Sequence, residues 1–127
     1  MSTLLGSYKN YVAFQDDRFN PIVLAESERT RVVLACFEAG QFIPVHSPPV
    51  DVTLYVLEGQ GRIQVGEQER EVAPGDVAFA AAGEARGVLA ESRLVVLHIV
   101  TPPPTASDHA EVVAGLQRGT WKPGSAT

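Results

Sequence analysis

Cysteine and histidine, two side chains that often bind transition metals, are scarce in this sequence. The 127 residues include one cysteine, Cys36, and three histidines. A single thiol excludes an intrachain disulfide and a zinc site built on paired thiolates, and it is consistent with a protein of the reducing cytoplasm. The chain length and the 45% apolar content favour one domain whose hydrophobic core is large enough to fold without such links.

Basic residues and long apolar runs are also lacking. Ten Lys and Arg against fifteen Asp and Glu give a net charge of −5, so we expect no electrostatic binding to nucleic acid or to an anionic membrane. The longest apolar stretches, such as 94–100, are too short to cross a bilayer, and residues 1–10 lack the basic start and apolar run of a signal peptide. These features predict a cytoplasmic location.

Alternating apolar and polar residues, interrupted by turn residues, fill most of the sequence from about Ile22 to Val100. The pattern predicts about eight short strands, at 22–25, 31–38, 52–58, 61–65, 69–73, 76–80, 87–90 and 93–100. Many short strands at regular spacing are typical of a β-sandwich or a small barrel.

A helix is predicted after the last strand. Thr101 is followed by three prolines, which cannot donate to a sheet ladder, so the sheet must end there. Asp108 and Glu111 have the spacing of a capping box with Asp108 as the N-cap. The predicted helix covers 108–118 and packs across the outside of a sheet through an apolar stripe formed by Val112, Val113 and Leu116.

The two chain ends carry weaker patterns. We expect Trp121 to anchor the helix and His109, in its first turn, to be exposed to solvent. Residues 1–10 and 124–127 are expected to be loose ends.

Two stretches, 40–61 and 75–90, resemble the two motifs of the cupin superfamily. The residues that stand at the family's spacing are Gly40, His46 and Gly59 in the first motif, and Gly75 and Gly83 in the second. The short separation between the two motifs is typical of small bacterial members.

The resemblance implies a fold and an assembly. The expected fold is all-β, a cupin-type double-stranded β-helix (jelly-roll) barrel with a short C-terminal α-helix. The barrel would span about residues 20–101 and the helix about 108–118, within a single cupin domain of residues 1–127. The resemblance also implies a homodimer, as in many small cupins.

The resemblance does not extend to the family's metal ligands. The four metal-binding positions correspond to His46, Pro48, Val52 and Arg86 in this sequence. Proline and valine offer no side-chain donor, and a guanidinium group stays protonated and repels a cation. We therefore expect no metal at the usual site and no other cofactor.

Arg86 would then stand inside an apolar barrel, where a lone charge is costly. Three arrangements are open: the side chain turns outward into solvent, it pairs with a carboxylate such as Asp51 or Glu38, or it binds the carboxylate or phosphate of a ligand.

The histidines leave similar alternatives. His46 is either a wall residue inherited from a metal-binding ancestor, a ligand contact, or part of a metal site of unusual composition. His98 lies on a predicted strand with two apolar faces, so alternation does not say whether it faces the pocket. If it does, His46 and His98 form an acid–base pair or a non-standard metal site.

Two further side chains have simpler interpretations. Cys36 is expected to be a small core residue rather than a nucleophile, because no basic residue stands near it in the sequence. Tyr55 alternates away from the pocket and belongs to the outer sheet face or to a subunit contact.

These residues favour a barrel that binds a small organic ligand, with an anionic ligand as one option, through His46, Arg86 and His98. The alternative is a small-molecule enzyme of the isomerase, lyase or dioxygenase type, with His46 as the base or with a non-standard metal site. In a third interpretation the pocket is vestigial and the protein acts as a structural or regulatory partner.

Overall fold

A computed structural model describes residues 4–122; the predicted loose end at 124–127 lies outside them. The described residues form one short 3₁₀ helix, Tyr8–Asn10, nine strands and one α-helix. The strands are β1 (Asn20–Glu26), β2 (Arg31–Phe37), β3 (Phe42–His46), β4 (Asp51–Glu58), β5 (Gly61–Val65), β6 (Gln68–Val72), β7 (Val77–Ala80), β8 (Arg86–Ala90) and β9 (Leu94–Thr101), and the helix is α1 (Ala106–Arg118).

The strands make two antiparallel sheets that enclose the core. One sheet has the order β1-β2-β9-β4-β7 and the other the order β3-β8-β5-β6. Strand β4 shows how the sequence directs this: Val52, Leu54 and Val56 are buried, whereas the side chain of Tyr55 between them is 40% exposed. The prediction of an all-β jelly-roll barrel with a C-terminal helix is confirmed.

Strand β3 was absent from the sequence-based prediction, because Pro44 interrupts it and a proline cannot donate to a ladder. In the structure β3 is an edge strand paired only with β8, and its register shifts between Ile43 and His46, around the proline. On this edge the backbone N–H of Val45 donates to the carbonyl of Trp121 at 2.7 Å. The proline is thus tolerated at an edge that the C-terminal segment covers.

The N-terminal residues are not all loose, contrary to the expectation for 1–10. The hydroxyl of Tyr8 donates to Oε2 of Glu58 at 2.9 Å. Together with Val12 and Phe14, Tyr8 packs on the outer face of the five-stranded sheet, over a buried cluster of Leu34, Cys36 and Val95. The segment is ordered because it covers apolar side chains on that face, and Cys36 is a buried core residue as expected.

Helix α1 begins earlier than expected, with Thr105 rather than Asp108 as its N-cap. Asp108 is the third helical residue, and its Oδ2 accepts the backbone N–H of Thr105 at 2.8 Å. At the other end Gly119, with a φ of 74°, donates its N–H to the carbonyls of Gly115 and Leu116. No helix among residues 4–122 is long and apolar enough to span a membrane.

The helix also docks elsewhere than expected, at one end of the barrel rather than across the outside of a sheet. Val112 and Leu116 pack against the core cluster between the sheets, beside the edge strand β3. Gly115 lies directly on Pro44 of β3, since a Cβ atom added there would stand 2.4 Å from the Cβ of that proline. This close approach holds α1 over the mouth of the barrel.

Candidate ligand-binding cavity

A cavity of about 180 Å³ lies between the two sheets, under helix α1. An engineered cavity of about 150 Å³ is known to hold a benzene molecule, so this one has room for a single ring with a small substituent. Most of its wall is apolar and comes from Phe19, Pro21, Ile43, Pro48, Val50, Val52, Leu54, Val88, Val100, Pro104, Val112 and Val113. Three polar side chains of the strands, His46, Arg86 and His98, also line it, and the buried Asp108 of α1 is a fourth.

His46 is the last residue of β3 and pairs in register with Arg86 of β8. Its Nδ1 lies 2.8 Å from the carbonyl oxygen of Pro44. Because a carbonyl only accepts, Nδ1 carries the proton, and in the neutral ring Nε2 keeps its lone pair. Burial lowers the pKa of His46, although the Pro44 carbonyl and the charge of Glu111 act in the opposite direction. His46 is thus held as a neutral, oriented base.

Arg86 is buried, with 5% of the residue exposed, so the outward arrangement is wrong. Its guanidinium donates to three backbone carbonyls: Nε to Glu84 at 3.1 Å, Nη1 to Val50 at 2.8 Å and Nη2 to Ala81 at 2.9 Å. These bonds join the β3–β4 connection to the β7–β8 connection. Burial lowers the pKa of Arg86, yet a guanidinium remains charged at any ordinary pH.

The internal ion pair considered for Arg86 is also wrong, since none of the ion pairs among residues 4–122 includes it. The carboxylate of Glu38 binds Arg93 instead, at 2.8 and 3.0 Å. Asp51 accepts the backbone N–H of Ala82 at 2.8 Å. The positive charge of Arg86 is therefore surrounded by carbonyl dipoles and has no carboxylate in direct contact.

His98 faces the cavity from the five-stranded sheet, which answers the question that alternation left open. Its register partners are Val33 on β2 and Leu54 on β4, both apolar. The Nε2 atom is buried and has no hydrogen-bond partner among the described residues. Burial lowers the pKa of His98 to about 4, so the ring is neutral at physiological pH.

The rim contains residues that sequence reasoning did not assign to the site. His109 is exposed as expected, but with Asp108 it lines the cavity on the side of α1, so it is not remote from the barrel interior. Arg18 lines the cavity from the segment before β1. No local pattern marks these residues, because their place depends on how the two chain ends close the barrel.

The fold and the site can now be set beside known proteins. The family model described as cupin domain matches residues 33–100. The chain belongs to the cupin family. No curated protein matches it.

Two solved structures share 33% sequence identity with this chain. For TT1209 from Thermus thermophilus the TM-score is 0.76, and the match covers 79% of this chain and 98% of that one. For an RmlC-like cupin protein from Desulfovibrio desulfuricans the TM-score is 0.66, with coverages of 81% and 96%. KdgF from Halomonas sp., at 20% identity and a TM-score of 0.67, covers 79% of this chain and 94% of its own and is similar in fold alone.

The metal site implied by the family does not fit the residues of this cupin. At the family's ligand positions Pro48 and Val52 line the cavity without a donor atom, and Arg86 brings a fixed positive charge. Only His46 is a possible ligand there. Within residues 4–122 no group of three or more His, Cys, Asp or Glu side chains is placed to hold a metal ion.

Proposed function

We propose that this cupin binds a small organic molecule in the barrel cavity without the help of a metal ion. The observation that carries the proposal is an apolar cavity into which both sheets direct polar side chains, His46 and Arg86 from one wall and His98 from the other. Cavities with apolar walls and a few converging polar groups are the usual form of small-ligand sites. The volume limits the ligand to about one ring.

Arg86 supports an anionic group on that ligand. A guanidinium has five N–H donors, and the three described bonds leave two of them. A carboxylate is the group that suits the remaining donors and a positive charge on which Asp51 and Glu84 act without direct contact. His46, next to Arg86 in register, would add a contact through Nε2 to a protonated group of the ligand.

The test uses benzoate, its neutral relative benzamide and the linear carboxylate hexanoate. We expect benzoate at ten times its Kd to raise the Tm of the wild-type protein by about 4 °C. Val52→Phe, which places an aromatic ring in the space that the ligand would occupy, should abolish the shift. The same substitution at Val23, which is 52% exposed on β1, should leave it intact. The proposal fails if none of the three compounds shifts the Tm, or if Val52→Phe responds like the wild-type protein.

The second candidate function is metal-free proton transfer with His46 as the base. It is favoured by the hydrogen bond from Nδ1 to Pro44, which fixes the ring and leaves Nε2 basic. An isomerase or lyase of this kind should exchange the methyl protons of pyruvate in D₂O, measured by proton NMR. His46→Gln should abolish the exchange, whereas His109→Gln should not. Exchange no faster than that of free pyruvate would exclude this activity for the probe.

We also propose a homodimer that uses the outer face of the five-stranded sheet. The argument is that an edge strand, β7, carries Val77 and Phe79, which are 70% and 57% exposed, beside the half-exposed Tyr55 and Ile99. An apolar face that continues to an unpaired sheet edge suits a second copy. Light scattering should give twice the mass of the chain, and Phe79→Arg should give the monomer. A monomeric wild-type protein would overturn this proposal.

A further inference from the structure

Asp108 is a buried carboxylate in the wall of the cavity. Only 8% of the residue is exposed, whereas its neighbours on α1, Ser107 and His109, are exposed to solvent. Its side chain lines the cavity together with that of Arg86. An aspartate is seldom buried to this degree unless its charge is paired. The contacts of its two carboxylate oxygens therefore show how much of this burial the fold itself explains.

The fold uses only one of the two oxygens. Oδ2 of Asp108 accepts the backbone N–H of Thr105 at 2.8 Å, which caps the helix. Oδ1 accepts no hydrogen bond from the described residues, and it is not among the polar atoms that are closed off from solvent. No ion pair among residues 4–122 includes Asp108, so neither arginine of the cavity wall, Arg18 or Arg86, pairs with it. A negative charge with a free acceptor thus borders the cavity.

The chemistry of a carboxylate limits the group that can bind there. An ionised carboxylate only accepts hydrogen bonds, and it binds a charged donor such as an ammonium more strongly than a neutral one. Arg86 adds a positive charge and two free donors to the wall of the same cavity. Because Asp108 and Arg86 are not paired with each other, one ligand that carries groups of both signs provides a partner for each.

We propose that Asp108 is a specificity-determining residue that binds a cationic amino group of the ligand through Oδ1. The ligand is then an amino-carboxylate, with its carboxylate directed at Arg86 and its ammonium group at helix α1. This inference rests on the proposed ligand-binding function and specifies the substrate class of the same cavity. Asp108 has two roles in it, as a cap of the helix through Oδ2 and as a ligand contact through Oδ1.

The experiment compares hexanoate with 5-aminopentanoate, which has the same chain length and carries an ammonium group in place of the terminal methyl. Dissociation constants are measured by NMR titration for the wild-type protein, Asp108→Asn and the control Glu111→Gln. An asparagine keeps an acceptor for the N–H of Thr105 and removes the charge. The control removes one negative charge from the same helix at an exposed residue that does not line the cavity.

We expect the wild-type protein to prefer 5-aminopentanoate by about tenfold, the size of one hydrogen bond to a charged group. Asp108→Asn should lose this preference, because an amide leaves the ammonium without a counter-charge in an apolar cavity. Glu111→Gln should keep it. A measurement on the wild-type protein covers the case in which Asp108→Asn does not fold: the ¹³C shift of the Asp108 carboxylate should move more with 5-aminopentanoate than with hexanoate.

The outcomes separate this inference from the proposed function. Three results overturn the binding of an amino group by Asp108 and leave carboxylate binding in the cavity standing: a wild-type protein that binds hexanoate as tightly as 5-aminopentanoate or more tightly, a preference that persists in Asp108→Asn, or equal carboxylate shifts with the two probes. If neither probe perturbs the cavity residues, the proposed function fails for linear carboxylates, and this inference fails with it.

Discussion

The two walls of the cavity carry their polar groups in opposite ways. On the four-stranded sheet, Arg86 donates to three backbone carbonyls and His46 donates to a fourth. On the five-stranded sheet, Nε2 of His98 has no partner among the described residues. The difference separates two uses of a buried polar side chain. Groups whose hydrogen bonds the protein satisfies contribute to its architecture, and a buried group that it leaves without a partner has a cost in stability.

Arg86 illustrates the architectural use. It stands at a position where the family has a metal ligand, and its guanidinium joins two connections of the chain at the barrel mouth, through Val50 on one side and Ala81 and Glu84 on the other. A metal ion organises a site because several side chains coordinate it, whereas this guanidinium organises the chain by donating hydrogen bonds to several backbone carbonyls. The same residue can still offer two donors to a ligand, so the two uses overlap on this wall.

The largest expected effect concerns the three hydrogen bonds of Arg86 on the four-stranded sheet. Arg86→Met leaves three carbonyls without their donors and should destabilise the protein by about 3 to 5 kcal/mol, which lowers the Tm by about 10 °C or more. Arg93→Met removes an arginine from a solvent-exposed surface ion pair and should cost far less. Urea denaturation measures both values. Equal losses in the two variants would contradict the architectural role of Arg86.

The next effect concerns how the free energy of unfolding depends on pH through His98. The pKa of His98 is about 4 in the folded protein, against an ordinary value of 6.5 in the unfolded chain. Between these values the unfolded chain binds more protons, so stability falls as the pH drops from about 6.5 to about 4. At pH 4.5 this linkage costs about 2 to 3 kcal/mol. His98→Leu lacks it.

The measurement is the free energy of unfolding of the wild-type protein and of His98→Leu at pH 7.5, 5.5 and 4.5. The pKa of His46 is lowered in both proteins and its contribution cancels in the difference. The stability gap between the variant and the wild-type protein should widen at each lower pH. A gap that stays constant would show that His98 is not a desolvated, neutral ring.

The smallest effect is that of His98→Leu at pH 7.5. Because the substitution removes an unpaired buried nitrogen and leaves an apolar side chain of similar size on an apolar wall, it should stabilise the protein by about 1 kcal/mol. His109→Leu on the exposed rim should change stability by less than about 0.5 kcal/mol. A loss of stability in His98→Leu would mean that the fold satisfies this histidine after all.

The strands of the fold could be predicted from the sequence more completely than the contacts of the site residues. Period-two alternation and turn residues located eight of the nine strands in the described part of the chain, and β3 escaped because Pro44 breaks the pattern on an edge strand. The side of β9 on which His98 lies could not be read, because the segment containing Tyr8 buries the opposite face, where Val95 and Leu97 are also apolar. Because the N-terminal segment packs on this face, both faces of β9 are apolar, and the alternation of polar and apolar residues that would reveal the inner face is missing.

The role of Arg86 was equally hidden. Its position in the second motif was correctly aligned, but its partners are backbone carbonyls, one of them 36 residues away at Val50. Carbonyl partners leave no side-chain signal in a sequence, so the motif identified the place and not the contacts. The same holds for the rim residues of α1, which reach the cavity only because Gly115 allows the helix to lie on Pro44.

The central claim is that the space between the two walls is a ligand site, and NOEs between bound benzoate and protein methyl groups test it most directly. We predict NOEs from the ring protons to Leu54 on one wall and to Val88 on the other, both of which line the cavity. These NOEs should vanish in Val52→Phe. NOEs confined to outer-face residues such as Ile22, or none at saturating benzoate, would contradict the claim.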